Sequence, residues 1–117
     1  MTIELIEPCK KIARLHGELD GDTEFVRHII ELYRGEADAF ARAVADGLSH
    51  DQLQILAHKL AGSSAQIAPD NVLDEIRTVE QLAAQGASST HELDVVLSTL
   101  PPLVRALEQW VETCDAG

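Results

Sequence analysis

An all-α protein is expected on three grounds. Aromatic residues make up only 3% of the 117 residues, while alanine and leucine abound; this suits closely packed helices better than a β-sandwich. Apolar residues recur at three- and four-residue spacing along most of the chain, the period of a helix with one buried face. The interruptions are short and rich in Gly, Pro, Asp and Ser, so successive helices must turn back on each other as antiparallel neighbours. Together these describe an up-down helical bundle in one domain, residues 1–117, long enough for a modest single core. No internal repeat, low-complexity tract or linker divides it.

Five helices follow in order. Pro8 opens the first, where proline's missing N–H is harmless; Cys9, Ile12, Ala13 and His16 share a face, and Gly17 and Gly21 bracket its end. Asp22 or Thr23 caps the second. Its core stripe is expected to be Phe25, Ile29, Leu32, Tyr33, Ala37, Phe40 and Val44, and Gly47 ends it. Ser49 or Asp51 starts the third, which runs to about Ala68. Pro69-Asp70-Asn71 forms a tight turn, and the fourth helix continues to about Gln85. Gly86-Ala87-Ser88-Ser89 is a loop. The last helix is expected to be interrupted or restarted at Pro101-Pro102, with Leu103, Leu107 and Val111 on one side, and to fray from Thr113 to Gly117.

The formal net charge is −11, from 20 acidic and 9 basic residues. Such an excess repels nucleic acid and anionic membranes, so neither is expected as a partner. Most of the acidic residues read as solvated helix faces. Cys9 and Cys114 stand far apart with no zinc-site spacing and no disulfide framework, as suits two reduced thiols. The start, MTIELIEPCKK, lacks the basic opening and long apolar core of a signal peptide. No apolar run approaches the roughly 20 residues of a membrane span. A cytoplasmic location is therefore expected, and Met1 and the compact length lean towards a free-standing protein.

The third helix carries the residue of greatest chemical interest. With residues 51–67 helical, each step turns about 100°, and Leu53, Leu56, Ala57, Leu60, Ser64 and Ile67 fall in one core stripe. His58 lies about 150° from the middle of that stripe and faces out. Ala61, Gly62 and Ala65 are its expected small neighbours on the outer face. Glycine in a helix interior costs about 1 kcal/mol relative to alanine; at position 62 the missing side chain would clear space at the ring. An imidazole, with an ordinary pKa of about 6.5, is largely neutral in the cytosol and can accept a phosphoryl group on one nitrogen while the other is held as N–H. Lys59 beside it can lean a positive charge towards a phosphoryl oxygen.

Glu80 is the candidate orienting group. His58 precedes Pro69 by 11 residues and Glu80 follows it by 11, so in an antiparallel hairpin both lie about 16 Å from the turn. A carboxylate there can accept the imidazole N–H and fix its tautomer. On spacing alone, a solvated glutamate on an outer face is equally compatible.

The segment Ala57-His58-Lys59-Leu60-Ala61-Gly62-Ser63-Ser64 resembles the signature of histidine-containing phosphotransfer (HPt) domains of two-component phosphorelays. Asp22-Thr23-Glu24-Phe25 through Leu32-Tyr33, then Phe40 to Gly47, is similar to that family's helix before the active one. Val72-Leu73-Asp74-Glu75-Ile76 to Leu82 is similar to the helix after it, so the likeness covers nearly the whole domain. The resemblance implies an antiparallel up-down four-helix bundle core with an additional short N-terminal helix. It implies that His58 is a phosphoacceptor, taking a phosphoryl group from the aspartyl phosphate of one receiver domain and passing it to another. Gly62 matches the family's small residue one turn on, and Glu80 falls where many members have a glutamine or similar group that holds the histidine. The implied partners are response-regulator receiver domains and a hybrid sensor histidine kinase. No cofactor is implied on this chain, the Mg2+ ion belonging to the receiver. The chain departs from the family at Ala61, where lysine is often found; Lys59, or Arg77 from the next helix, is then the available cation.

Ile55, an apolar residue on the outer face one turn before His58, becomes a docking candidate with Gln54, Lys59, Ala65 and Gln66. The chain has no nucleotide-binding motif, so ATP-dependent self-phosphorylation is not expected, and it is not read as an enzyme. His16 shares a face with core residues and is expected to pack. His28 and Glu24, one turn apart, read as a surface pair. No Glu-x-x-His occurs, which argues against a di-iron bundle. Ser63 and Ser64 have no partners spaced to make a triad, and Ser64 is expected to bond back to its own helix. The alternative function is a non-transferring helical-bundle interaction module that binds receiver or kinase domains, supported by the missing lysine. The chain is expected to act as a monomer.

Overall fold

The structure, a computed structural model, describes residues 7–116, with the side chains of residues 8–114. Among them are a 3₁₀ turn, Glu7–Cys9, and five helices: α1 Lys10–Glu18, α2 Thr23–Asp46, α3 His50–Ile67, α4 Asp70–Ala84 and α5 Thr90–Ala116. No strand occurs among the described residues.

Each boundary has a local cause. Asp22 caps α2, its carboxylate accepting from the Phe25 N–H at 3.1 Å, one of the donors a helix start leaves unpaired. Gly47 leaves α2 with φ 95°, a left-handed backbone that glycine adopts without a Cβ clash. Ser49 then caps α3 reciprocally. Its hydroxyl accepts from the Gln52 N–H, and the Gln52 side-chain oxygen accepts from the Ser49 N–H, both at 3.2 Å. Extended backbone at Ala68 and Pro69 makes the tight α3–α4 connection, because proline pushes the residue before it out of the helical region.

α3 packs most extensively against α4; α2 packs on α5 and α3, α4 on α5, and α1 lies against α3 and α2. The shared interior includes Ile12, Ile30, Leu60, Ile76, Val79 and Leu107. Lys11 ties α1 to the α3–α4 turn: its ammonium donates to the Ala65 carbonyl at 3.3 Å and lies 2.7 Å from the Asp70 carboxylate. Its hydrogen bond and charge hold the Asp70 carboxyl below the ordinary range.

On α2 the buried stripe is Val26, Ile30, Tyr33, Ala37 and Phe40, whereas Phe25 and Leu32 are 48% and 56% exposed. The expected stripe is thus corrected in its first half. Two apolar stripes interleave here, and continuing the one through residues 25, 29 and 32 would bury Glu36. The one through residues 26, 30 and 33 stays apolar to Phe40, so it is the one that burial favours.

Three smaller expectations are also corrected. α5 is continuous through Pro101 and Pro102. A proline inside a helix costs about 3 kcal/mol, but the buried run Val96, Leu100, Leu103, Val104, Leu107 and Val111 spans the break without changing face. Both prolines are exposed, so their rings take no room in the core. The helix also continues past Thr113, whose hydroxyl donates to the Trp110 carbonyl at 2.5 Å; Gly117, the last residue expected to fray, lies outside the described residues. Glu24 pairs with Arg27 at 2.7 Å rather than with His28, because a guanidinium carries a permanent charge and several donors. His16 does pack, edge-on against Trp110. Cys9 is buried and Cys114 half-buried, with no disulfide between them, and burial pushes the Cys9 thiol up to about 11. No helix among the described residues is long and apolar enough to cross a membrane.

Candidate functional site

The α3–α4 hairpin brings His58 and Glu80 level, as counting from the turn predicts. His58 Nδ1 lies 2.6 Å from Glu80 Oε2. A carboxylate only accepts, so Nδ1 carries the hydrogen and donates it. When the ring carries a single hydrogen, that leaves the lone pair on Nε2. The His58 side chain is 78% exposed and the Glu80 side chain 22%: the orienting group is tucked between helices, the oriented group stands in solvent. Of the two positions that spacing allows Glu80, the bonded one is observed.

The helix around the ring is small on its outer side. A Cβ built on Gly62 meets nothing within 4 Å, so no internal contact requires glycine there, and any longer side chain would occupy the space in front of the helix. Ala65 is exposed as well. Ala61 is not: it is 4% exposed, which corrects its expected place on the outer face. The close approach of α4 to α3 widens the buried side of α3, and Ala57, Ala61 and Ala68, all buried small residues, let the two backbones come together. A lysine side chain at position 61 would have to leave this packed seam.

The two alternative cations lie on different helices. Lys59 is exposed on the α2 flank of His58, bordering a depression with Glu36, Leu56 and Phe40. Arg77 is exposed on α4, where its charge acts on Asp70. Ile55 is 66% exposed, Gln54 is half-buried, and Ala65 and Gln66 are exposed where α3 meets Lys11 and Arg14 of α1.

Two contacts that fix the orientation of α3 had no signal in the sequence. Ser63 Oγ donates to Glu36 Oε1 of α2 at 2.5 Å. Behind it, the Tyr33 and Ser64 hydroxyls lie 2.7 Å apart, with Ser64 fully buried. The expected bond from Ser64 to its own helix is thus corrected: where water is excluded, the pair satisfies both hydroxyls at once. Together they pin the face of α3 opposite Gly62, and so hold His58 outward. Burial pushes the Tyr33 phenol pKa up.

Among the described residues no group of three or more His, Cys, Asp and Glu side chains is placed to hold a metal ion. What the site offers chemically is an exposed nitrogen nucleophile, aimed by a carboxylate that would also stabilise the positive ring formed when that nitrogen is substituted. Comparison with protein-family models, with curated proteins and with solved structures finds no match to this chain.

Proposed function

We propose that this protein is a phosphorelay intermediate of the HPt kind, with His58 as the phosphoacceptor. The observation that carries the reading is the 2.6 Å bond from His58 Nδ1 to Glu80 on a ring that is otherwise open to solvent. In this reading α2 to α5 form an up-down four-helix bundle and α1 is the additional N-terminal helix. The packing of each long helix on its chain neighbour, and of α5 back on α2, supports that arrangement.

The reaction follows from the ring. The Nε2 lone pair attacks the phosphorus of an aspartyl phosphate presented by a receiver domain. The Nε2–P bond forms as the bond from phosphorus to the aspartyl oxygen breaks, and the aspartate leaves as carboxylate. The imidazole is left positive, its Nδ1–H facing the Glu80 carboxylate. Transfer onward reverses these steps with a second receiver aspartate as the nucleophile. The magnesium ion that shields the phosphoryl charge belongs to the receiver. A hybrid sensor histidine kinase upstream, response regulators downstream and a cytoplasmic location complete the proposal.

Incubation with a phosphorylated receiver domain tests this. The protein should acquire label that is stable to alkali and labile to acid, and His58→Gln should acquire none. Binding of the receiver without transfer would instead favour the non-transferring interaction module, the reading to which the buried Ala61 lends its weight.

A further inference from the structure

α2 and α5 face each other along a groove of about 160 Å³ that no residue of α3 or α4 lines. Two ion pairs set the register of its walls: Arg27 lies 3.9 Å from Glu112, and Arg34 lies 3.0 Å from Glu108. The two helices therefore run antiparallel. One turn beyond Arg34, Asp38 comes level with Arg105; two turns beyond it, Ala41 comes level with Pro101. The groove thus has two unlike ends. Arg34, Asp38, Arg105 and Glu108 surround one, and Ala41, Leu97 and Pro101 wall the other. Its floor is the buried Ala37, Leu100 and Val104. It stays open because Ala37 and Ala41 are too small to reach α5 across it.

The charges at the first end are not all satisfied by one another. Arg34 donates to Glu108 at 3.0 Å but stands 3.9 Å from Asp38, too far for a hydrogen bond. Arg105, exposed on the opposite wall, makes no hydrogen bond or ion pair among the described residues. An open acceptor on α2 and an open donor on α5 therefore stand level across the groove without closing on each other. We propose that this groove binds a free α-amino acid with an apolar side chain of up to phenylalanine size. The guanidinium of Arg105 forks onto its carboxylate, and the Asp38 carboxylate accepts from its ammonium. The side chain lies over Leu100 towards Ala41 and Pro101. A cavity of about 150 Å³ takes a benzene ring, so the apolar stretch has room for one such group. The charges favour a zwitterion over a simple ion. Arg34 and Arg105 balance Asp38 and Glu108, as the two charges of an amino-acid head balance each other, whereas a lone anion would face Asp38 and a lone cation would face Arg105. The site is independent of the phosphotransfer reading.

The test is a titration of the 15N-labelled full chain with L-phenylalanine, followed by 1H–15N NMR. Amide shifts should saturate within residues 34–41 and 97–108 and leave His58 and Glu80 unmoved. Two probes each lack half of the head: 2-phenylethylamine has no carboxylate and 3-phenylpropanoate no ammonium. Each should bind at least fivefold more weakly than phenylalanine. Arg105→Gln and Asp38→Asn should each raise the Kd for phenylalanine at least fivefold. Ala41→Leu, which fills the apolar end from an exposed position, should abolish saturation while circular dichroism shows the fold intact. Equal binding of 3-phenylpropanoate and phenylalanine, or an unchanged Kd in Arg105→Gln, would overturn the amino-acid site. So would the absence of saturable shifts in the wild type, and each of these results leaves the phosphotransfer reading standing.

Discussion

The corner where α1 meets α5 and the outer face of α3 each hold an imidazole, and they hold it in opposite ways. His16 has Nε2 3.1 Å from the Thr23 hydroxyl and its ring edge-on to Trp110, with centroids 5.5 Å apart. Its hydrogen bond comes with cover on the ring. His58 has one nitrogen tied to a carboxylate and the rest of the ring open. A hydrogen-bonded histidine is common in proteins; one bonded through a single nitrogen, with its side chain largely exposed, is what the proposed transfer would need. The difference is made by neighbours: a tryptophan at one place, a glycine and an alanine at the other.

Removing the bond should have the largest effect. A hydrogen bond to a charged group is worth about 1.5–3 kcal/mol, which corresponds to a rate change of roughly 10–100-fold. Glu80→Ala should therefore slow single-turnover transfer from a phosphorylated receiver by about that factor, with Glu80→Gln falling between it and the wild type. In the same protein, 15N NMR should show the His58 tautomer shifting from Nδ1–H towards Nε2–H. An unchanged rate and tautomer would make Glu80 a bystander.

Filling the open space should make His58 more like His16. Gly62→Gln should fold normally, because position 62 is exposed and a Cβ there meets nothing within 4 Å, and should slow receiver-dependent transfer by crowding the approach. Gly62→Ala should raise stability by about 1 kcal/mol, the helix-propensity difference, as read from urea denaturation. A destabilised alanine variant would mean that glycine serves the interior after all.

The smallest effect concerns the anchor that holds α1, and with it the His16 corner. Asp70 is titrated below its ordinary range by Lys11, so its contribution to stability is present above the ordinary carboxyl pKa of about 3.9 and is lost as pH falls through the lower folded value. The stability difference between wild type and Asp70→Asn should be small and constant at neutral pH, and should vanish in strong acid. A difference that persists undiminished there would deny the pair its role. Asp70 is largely exposed, which keeps the effect modest.

Local chemistry made much of this legible in the sequence. Gly47, Ser49 and the Ala68–Pro69 step act on their immediate neighbours, so the ends of α2 and α3 could be read directly. His58 could be placed outward from helical periodicity, and its level with Glu80 from counting to a tight turn. What could not be read depends on which of two helix faces wins and on how closely helices approach. Leu32 and Tyr33 are adjacent apolar residues, and only the avoided burial of Glu36 decides between their stripes. Ala61 lies inside because α4 packs close enough to cover it, a property of two helices. The Tyr33–Ser64 and Ser63–Glu36 bonds need the α2–α3 register, which no local motif specifies. Pro101-Pro102 reads as a break when taken alone, yet the apolar run on both sides keeps α5 whole.

Which nitrogen of His58 reacts is reported most directly by the position of the phosphoryl group. Phosphorylated protein, made with a receiver domain and examined by 31P and 15N NMR, should carry the group on Nε2 of His58, with Nδ1 still protonated and facing Glu80. Phosphate on Nδ1 would overturn the role proposed for Glu80, because that nitrogen could react only after giving up its bond to the carboxylate.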